Sequence, residues 1–315
     1  MTNFFNKTVF ITGGTGFIGS RLIQQLVADS ANIICYGRDI RKIFNKFGTQ
    51  VTAVTTFDIA DTVDFIIHAA CPTNSNTLAN NPVETISSIY TLTKESLELA
   101  KRTNARYLYL SSMEVYSGLS GRVDESKTGM LDLTNSRNSY PSSKQLAELL
   151  TNSYYNEYGT NTSIVRLSQV FGPGVAFDDN RLFTYAIRQA LNGEDIILKT
   201  DGQKLHNSCY IDDVIFYILH ILVSDIHDTV NITNESYCHT INDLCDSIIN
   251  TLDSRSKVIH DITANSMYPP NSQSIISANK LNQLFPTYEQ TSFDRAVQNT
   301  ANYLRQFKPL HNSSS

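Results

Sequence analysis

Tyr140 and Lys144, in the stretch Tyr-Pro-Ser-Ser-Lys, stand one helical turn apart. An ammonium near a phenol favours the phenolate, which lets a tyrosine exchange a proton with a substrate hydroxyl near neutral pH. Pro141 suits the first position of a helix, so the pair is expected at a helix mouth. A serine at a strand end can hydrogen-bond the same hydroxyl, and Ser112 follows the apolar run Ala-Arg-Tyr-Leu-Tyr-Leu. Glu114 is a further acid–base group beside it, whereas Met113 between them has no proton to donate. Tyr-x-x-x-Lys says little by itself in a chain with 16 tyrosines, so its meaning rests on what precedes it.

What precedes it is Thr-Gly-Gly-Thr-Gly-Phe-Ile-Gly, residues 12–19. The loop follows an apolar β-type run and opens a helical pattern, the context a dinucleotide loop requires. Gly13 allows the tight turn, Gly16 lets the backbone approach a pyrophosphate, and Gly19 lets helix and strand pack closely. Thr15, Phe17 and Ile18 complete the expected cofactor-binding stretch. The second strand then ends in Tyr-Gly-Arg-Asp, residues 36–39. An acid at the strand end binds the adenosine ribose of NAD, but Gly37 holds that place. Arg38 can meet a 2′-phosphate, which brings NADP in beside NAD, while a one-residue shift would return the role to Asp39. Asp58, with Ile59 after it, is placed to accept from the adenine amino group.

The elements that position these residues alternate. Lys-Thr-Val-Phe-Ile-Thr-Gly, Asn-Ile-Ile-Cys-Tyr-Gly, Asp-Phe-Ile-Ile-His-Ala-Ala and Ala-Arg-Tyr-Leu-Tyr-Leu-Ser-Ser read as strands, with helical patterns between most of them. Val83–Thr103 reads as a long helix with a basic last turn, and Tyr140–Gly159 as another that closes on glycine. Thr162–Gly174 reads as one strand running into a Gly-Pro turn. Such alternation predicts an α/β fold, a Rossmann-type doubly wound parallel sheet covered on both faces. A dinucleotide-binding domain is expected over residues 1–170, its sheet completed by segments around 207–235. A smaller α/β substrate domain is expected over most of 171–315. There, Asp195–Asp213 reads as two short strands around an Asp-Gly turn, and Asn265–Gln273 as a loop.

Composition excludes several classes. The chain has 315 residues and a formal net charge of −5, with no basic block, so nucleic acid is not an expected partner. Five dispersed cysteines without a Cys-x-x-Cys pair read as reduced thiols, and Cys71 as packing. The histidines form no ligand pair, so no metal is expected. No apolar run approaches a membrane span and no signal peptide leads the chain, so a cytoplasmic protein is expected.

The order and spacing of Thr-Gly-Gly-Thr-Gly-Phe-Ile-Gly, Ile-Ile-His-Ala-Ala, Ser-Ser-Met-Glu-Val-Tyr-Ser, Tyr-Pro-Ser-Ser-Lys, Val-Arg-Leu-Ser-Gln-Val-Phe-Gly-Pro-Gly and Tyr-Ile-Asp-Asp carry a resemblance. Over nearly its whole length the chain resembles extended short-chain dehydrogenase/reductases of the nucleotide-sugar epimerase/dehydratase type. The resemblance implies a bound nicotinamide cofactor, with NAD the family's usual choice, and a nucleotide-sugar substrate oxidised, usually at C4, to a transient ketone. It makes Ser112 the family's Ser/Thr, Tyr140 its base and Lys144 the residue that tunes the base and touches the cofactor. Ala69 and Ala70 match the turn over the cofactor. Thr73, Gln169 and Arg181 match positions that approach the sugar nucleotide, and His206 stands where members carry an Arg near the diphosphate or a sugar carboxylate.

Family dehydratases tend to read Thr-Asp-Glu, and decarboxylases Thr-Ser-Glu, where this chain reads Ser112-Met113-Glu114. Met113 argues against water elimination, and His206 weakens decarboxylation without excluding it. A 4-epimerase asks least of the residues present. The alternatives are an NADPH-dependent reductase of a keto-sugar or sugar phosphate, a decarboxylase or dehydratase, or a cofactor-binding protein without catalysis. Retention of Ser112, Tyr140 and Lys144 speaks against the last of these. The resemblance also implies a homodimer, formed through helices at about 84–102 and 141–158, and a role in surface polysaccharide synthesis.

Overall fold

The computed structural model describes residues 4–59, 62–72, 78, 80–262 and 273–307. In chain order, the first elements are β1 (Thr8–Thr12), α1 (Phe17–Ala28), β2 (Asn32–Tyr36), α2 (Ile40–Phe47), β3 (Thr52–Val54) and β4 (Phe65–His68). They are followed by α3 (Pro82–Thr103), β5 (Arg106–Ser112), β6 (Gly121–Val123), α4 (Ser139–Tyr158), β7 (Thr162–Leu167) and β8 (Gln169–Phe171). Next come α5 (Leu182–Asn192), β9 (Ile196–Leu198), β10 (Leu205–Tyr210), α6 (Ile211–Val223), β11 (Thr229–Ile232) and β12 (Asn234–Thr240). The last are α7 (Ile241–Thr251), β13 (Val258–His260), β14 (Ser274–Ile276), α8 (Asn279–Leu284) and α9 (Phe293–Arg305).

The main sheet has seven strands in the order β11-β7-β5-β4-β1-β2-β3, and all of its pairings are parallel. Its central strands are continuous apolar runs because both faces are covered; in β5 every residue but Ser112 is buried. Chain order reverses between β1 and β4, which makes their carboxyl ends the switch point where open α/β sheets bind ligands. There Thr12 lies opposite His68. Two units are distinguished. One comprises Met1–Leu119, Asp124–Leu167 and Ile215–Ile232; the other comprises Ser120–Val123, Ser168–Val214 and Thr233–Ser315.

Several local expectations meet a different outcome. Thr162–Gly174 is two strands: Ser168 separates β7, in the main sheet, from β8, which pairs with β10. The Asp201-Gly202 turn does not close a hairpin. Gly202 takes φ +69° as a turn glycine, but the turn docks on α7, the Asn242 backbone N–H donating to Gly202 O at 3.1 Å and its side-chain amide to Asp201 O at 2.9 Å. The flanking strands diverge, β9 to β13 and β10 to β8 and β12. The segment α2 and the last helix α9 are additional to the helices read from the sequence. The second unit also ties its carboxyl-terminal stretch to Asp213, whose buried carboxylate accepts from Tyr288 Oη at 2.8 Å and from Thr291 N and Oγ1 at 3.0 Å each.

A buried ion pair fixes the elements that carry the chemistry. Arg166 on β7 donates from Nη2 to Glu148 Oε2 at 2.7 Å and from Nε to Oε1 at 3.0 Å. Ser111 Oγ, at the end of β5, donates to the same Glu148 carboxylate at 2.5 Å. Arg166 Nη1 donates to Tyr116 Oη at 2.9 Å and to Lys127 O at 2.9 Å, and Tyr116 Oη donates to Asn231 Oδ1 at 2.7 Å. Burial pulls the Arg166 guanidinium down, but the Glu148 carboxylate more than offsets this and holds it charged.

A buried charge left without its partner is strongly destabilising. Arg166→Met is therefore expected to lower unfolding free energy by about 3–5 kcal/mol, read from urea unfolding. The double change Arg166→Met with Glu148→Leu is expected to recover part of that loss.

Candidate active site

The glycine loop is shaped by contacts that leave no room for a side chain. Gly13 has φ +72°, and a Cβ there would lie 2.7 Å from Ala69 C and Ala70 N, at the end of β4. A Cβ on Gly19 would collide with Gly13 O, so α1 can approach β1 only with glycine at that place. Gly16 caps α1 from extended backbone without a side-chain cap, and the first turn, which includes Phe17 and Ile18, has no acid. Its leading N–H groups are thus available to an anion such as a pyrophosphate. The Ala70 N–H donates to Thr12 Oγ1 at 3.0 Å, which locks the two strand ends together. These residues fit a dinucleotide.

Around this loop the same unit gathers Ser112, Tyr140, Lys144 and Cys71. Ser112 Oγ accepts the Glu114 N–H at 3.2 Å, capping the 3-10 turn Met113–Tyr116, and also hydrogen-bonds the Tyr140 phenol. Tyr140 and Lys144 sit in the first two turns of α4, which closes on Gly159 with φ +68°. The Lys144 ammonium donates to Leu110 O at 2.8 Å and stands 4.7 Å over the Tyr109 ring, compared with 5.9 Å from the Tyr140 ring centroid. Burial pushes the Tyr140 phenol well up, Cys71 adds to the rise, and the Ser112 hydrogen bond opposes it. The expected lowering by Lys144 is not what dominates, because the carbonyl and the Tyr109 ring hold the ammonium and desolvation outweighs it.

Other expected residues are placed as follows. Glu114 is exposed, and its carboxylate accepts from Ser117 Oγ at 3.1 Å. Asp58 and Arg38 are exposed, and Ile59 packs against the core. Thr73 lies outside the described residues. In the second unit, Gln169 opens β8 opposite Ser208 of β10. Arg181 is committed to Asp179, donating from Nη2 at 2.6 Å and from Nε at 2.9 Å. The His206 ring stands edge-on to Phe183 at 5.3 Å, and burial, with Lys204 nearby, lowers its pKa to about 4. A neutral imidazole cannot supply the positive charge expected there for a phosphate.

A family model described as the NAD dependent epimerase/dehydratase family matches residues 9–233. The chain belongs to that family. It is similar to UDP-glucuronic acid decarboxylase 6 of Arabidopsis thaliana, with 31% identity, covering 73% of this chain and 70% of the relative. Among solved structures, the UDP-glucose 4-epimerase of Thermotoga maritima, with UDP-glucose, matches at TM-score 0.82 and 16% identity, covering 95% of this chain and 99% of that one. The UDP-glucuronic acid 4-epimerase of Bacillus cereus, in complex with NAD, matches at TM-score 0.77 and 19% identity, covering 96% and 99%. The fold is that of the extended short-chain dehydrogenase/reductases, and the chain is an enzyme of that type.

Members of the family can be read for type and order, but the packing around their motifs is harder to see. His68 illustrates this. Its Nδ1 hydrogen-bonds Thr12 Oγ1 at 2.7 Å and its Nε2 Thr93 Oγ1 at 3.2 Å, joining β1, β4 and α3. Burial, with the Lys144 charge adding to it, lowers its pKa to about 3. Cys71 packs against the core cluster, as expected, with Lys144 and Tyr140 as its neighbours. Burial raises the Cys71 pKa, and its two neighbours oppose the rise. Glu148 has no motif-level signal beyond its place one turn after Lys144, whereas Arg166 lies in the Val-Arg-Leu-Ser-Gln-Val-Phe-Gly-Pro-Gly stretch.

Two buried neutral histidines set an acid limit. The folded pKa values of about 3 for His68 and about 4 for His206 lie below the ordinary 6.5. The unfolded chain therefore binds more protons between these values, and stability falls as pH drops from about 6.5 towards 4. The slope is expected to reach about 1.4 kcal/mol per pH unit for each histidine, and His68→Gln is expected to remove its share in urea titrations across that range. Gly13→Ala is expected to abolish dinucleotide binding in calorimetry, because it strains the turn and fills the gap to Ala69.

Proposed function

We propose that this enzyme is an NAD- or NADP-dependent 4-epimerase of a UDP-linked hexose or hexuronic acid. The observation that carries the reading is the pairing of Ser112 with the Tyr140 phenol, with the Lys144 ammonium 5.9 Å from the phenol ring and Met113 at the place where water elimination would need an acid. UDP is favoured because the decarboxylase and both epimerases reported above are named for UDP-sugars. The family resemblance supports a cytoplasmic enzyme feeding surface polysaccharide synthesis.

A nicotinamide cofactor held by the glycine loop would supply a reversible hydride acceptor for the sugar carbon. The protein's part is to handle the hydroxyl proton and hold the sugar. Ser112 Oγ orients the C4 hydroxyl, and Tyr140, acting as the phenolate that the Lys144 charge favours against burial, accepts its proton as the carbon is oxidised, then returns it after the ketone has turned its other face. Lys144, anchored on Leu110 O, keeps a positive charge near the phenol and would hold the cofactor ribose. Glu114 stays at the solvent-facing edge as a sugar-binding group. Gln169, Arg181 and His206 are proposed as sugar-nucleotide ligands, His206 as a neutral hydrogen-bonding group.

Decarboxylation is the second reading, favoured by the relative of 31% identity. The neutrality of His206 weighs against it, since no cation stands at that position for a sugar carboxylate. Mass spectrometry after incubation with UDP-glucose and UDP-glucuronic acid separates the two. Epimerisation yields an isomer of unchanged mass and no net change in cofactor, and loss of carbon dioxide would establish the second reading. Tyr140→Phe is expected to lower kcat by about a hundredfold or more with cofactor binding retained.

A homodimer is proposed through α3 and α4. Their outer faces expose Val83, Ile86, Leu146 and Leu149, the last at 63%, an apolar area that a second copy would cover. Light scattering is expected to give twice the chain mass, and Leu149→Glu the mass of one chain.

A further inference from the structure

The residues after β2 do not match what an NAD ribose asks for. Gly37 occupies the strand-end position, next to the glycine loop because Thr12 of β1 pairs with Tyr36 of β2. It carries no carboxylate for the two ribose hydroxyls. The acid that follows in sequence, Asp39, is engaged as the cap of α2. Its Oδ1 accepts the Arg41 N–H at 3.0 Å and lies 3.5 Å from Arg41 Nε. The cap thus holds Oδ1 towards α2.

Cations gather there instead. Residues 38–46 hold Arg38, Arg41, Lys42 and Lys46 against Asp39 alone, in a chain whose net charge is −5. Lys46 reaches back to the dinucleotide loop, donating to Thr15 O at 2.9 Å, so α2 and its charges are fixed beside that loop. Arg38 is exposed and unencumbered by sequence neighbours of opposite charge other than the engaged Asp39. Burial raises the Tyr36 phenol, Glu95 adds to the rise and Arg38 opposes it, so the guanidinium stands within electrostatic reach of the last residue of β2. A guanidinium forks onto a phosphate with two parallel hydrogen bonds, which two ribose hydroxyls cannot match.

We propose that the segment Gly37–Lys46 is a 2′-phosphate site, with Arg38 as its principal ligand, and that the enzyme prefers NADP(H) to NAD(H). This rests on the dinucleotide reading of the glycine loop and is independent of which sugar is turned over. It sets the chain apart from the neighbour crystallised with NAD.

The test is calorimetric titration of the purified, cofactor-stripped protein with NADP+ and with NAD+. NADP+ is expected to bind about tenfold to a hundredfold tighter, as one charge-assisted phosphate contact supplies. Arg38→Ala should remove most of that ratio while leaving NAD+ binding within about twofold. Raising salt should weaken NADP+ more than NAD+. Gly37→Asp should move the preference towards NAD+. Its Cβ would meet only the flexible tip of Ile43, at 2.9 Å from Cδ1, and Gly37 has no left-handed φ to protect. NAD+ binding equal to or tighter than NADP+ would overturn the proposal, as would an unchanged ratio in Arg38→Ala. Binding of neither dinucleotide would overturn the reading of the loop along with it.

Discussion

The buried pair between Arg166 and Glu148 is the constraint on which the catalytic geometry depends. Glu148 is one turn beyond Lys144 on α4, and Ser111, which donates to it, is adjacent to Ser112. One carboxylate thus sets the distance between the helix that presents the phenol and the strand end that presents the hydroxyl. Arg166 extends the hold through Tyr116 to the turn that contains Glu114, and on to Asn231 of β11. Without the pair, two buried charges would have to separate or draw in water, and either would move α4 against β5. The network explains why proton-handling groups carried by a helix and a strand can be held to hydrogen-bond precision inside a largely apolar sheet.

A second lock acts at the cofactor end. Thr12, His68 and Thr93 form a chain of hydrogen bonds from β1 through β4 to α3, and the Ala70 N–H closes on Thr12 from the turn above. It holds Ala69 against Gly13 at a separation where no side chain fits. The switch point of the sheet is therefore rigid where a dinucleotide would lie, and the imidazole within it stays neutral because burial outweighs any gain from charging it. The Lys144 ammonium belongs to the same environment. Its partners are a backbone carbonyl and an aromatic face, so it contributes charge without an ion pair that would cancel it.

Much of this was legible in the sequence, for reasons that are local. The requirement for glycine at 19 comes from contacts within a single strand-loop-helix, and at 13 in part from its own positive φ. The parallel sheet follows from strands alternating with helices. What stayed hidden depends on distant partners. Nothing near Asp201-Gly202 says that the turn will dock on Asn242 and send its strands to different sheets. Ser168 looks like any strand residue until β7 and β8 are seen in separate sheets. The charge of His206 could not be judged without its burial against Phe183.

The central claim is that Ser112, Tyr140 and Lys144 serve an oxidation that is undone on the opposite face of the same carbon. Its most direct test follows the hydrogen on that carbon, using UDP-glucuronic acid and UDP-glucose deuterated at C4. The account predicts that NMR finds the deuterium still at C4 in an epimer of inverted configuration, with no cofactor consumed. Deuterium accumulating in the cofactor, a product that has lost carbon dioxide, or no turnover of either nucleotide sugar would contradict it.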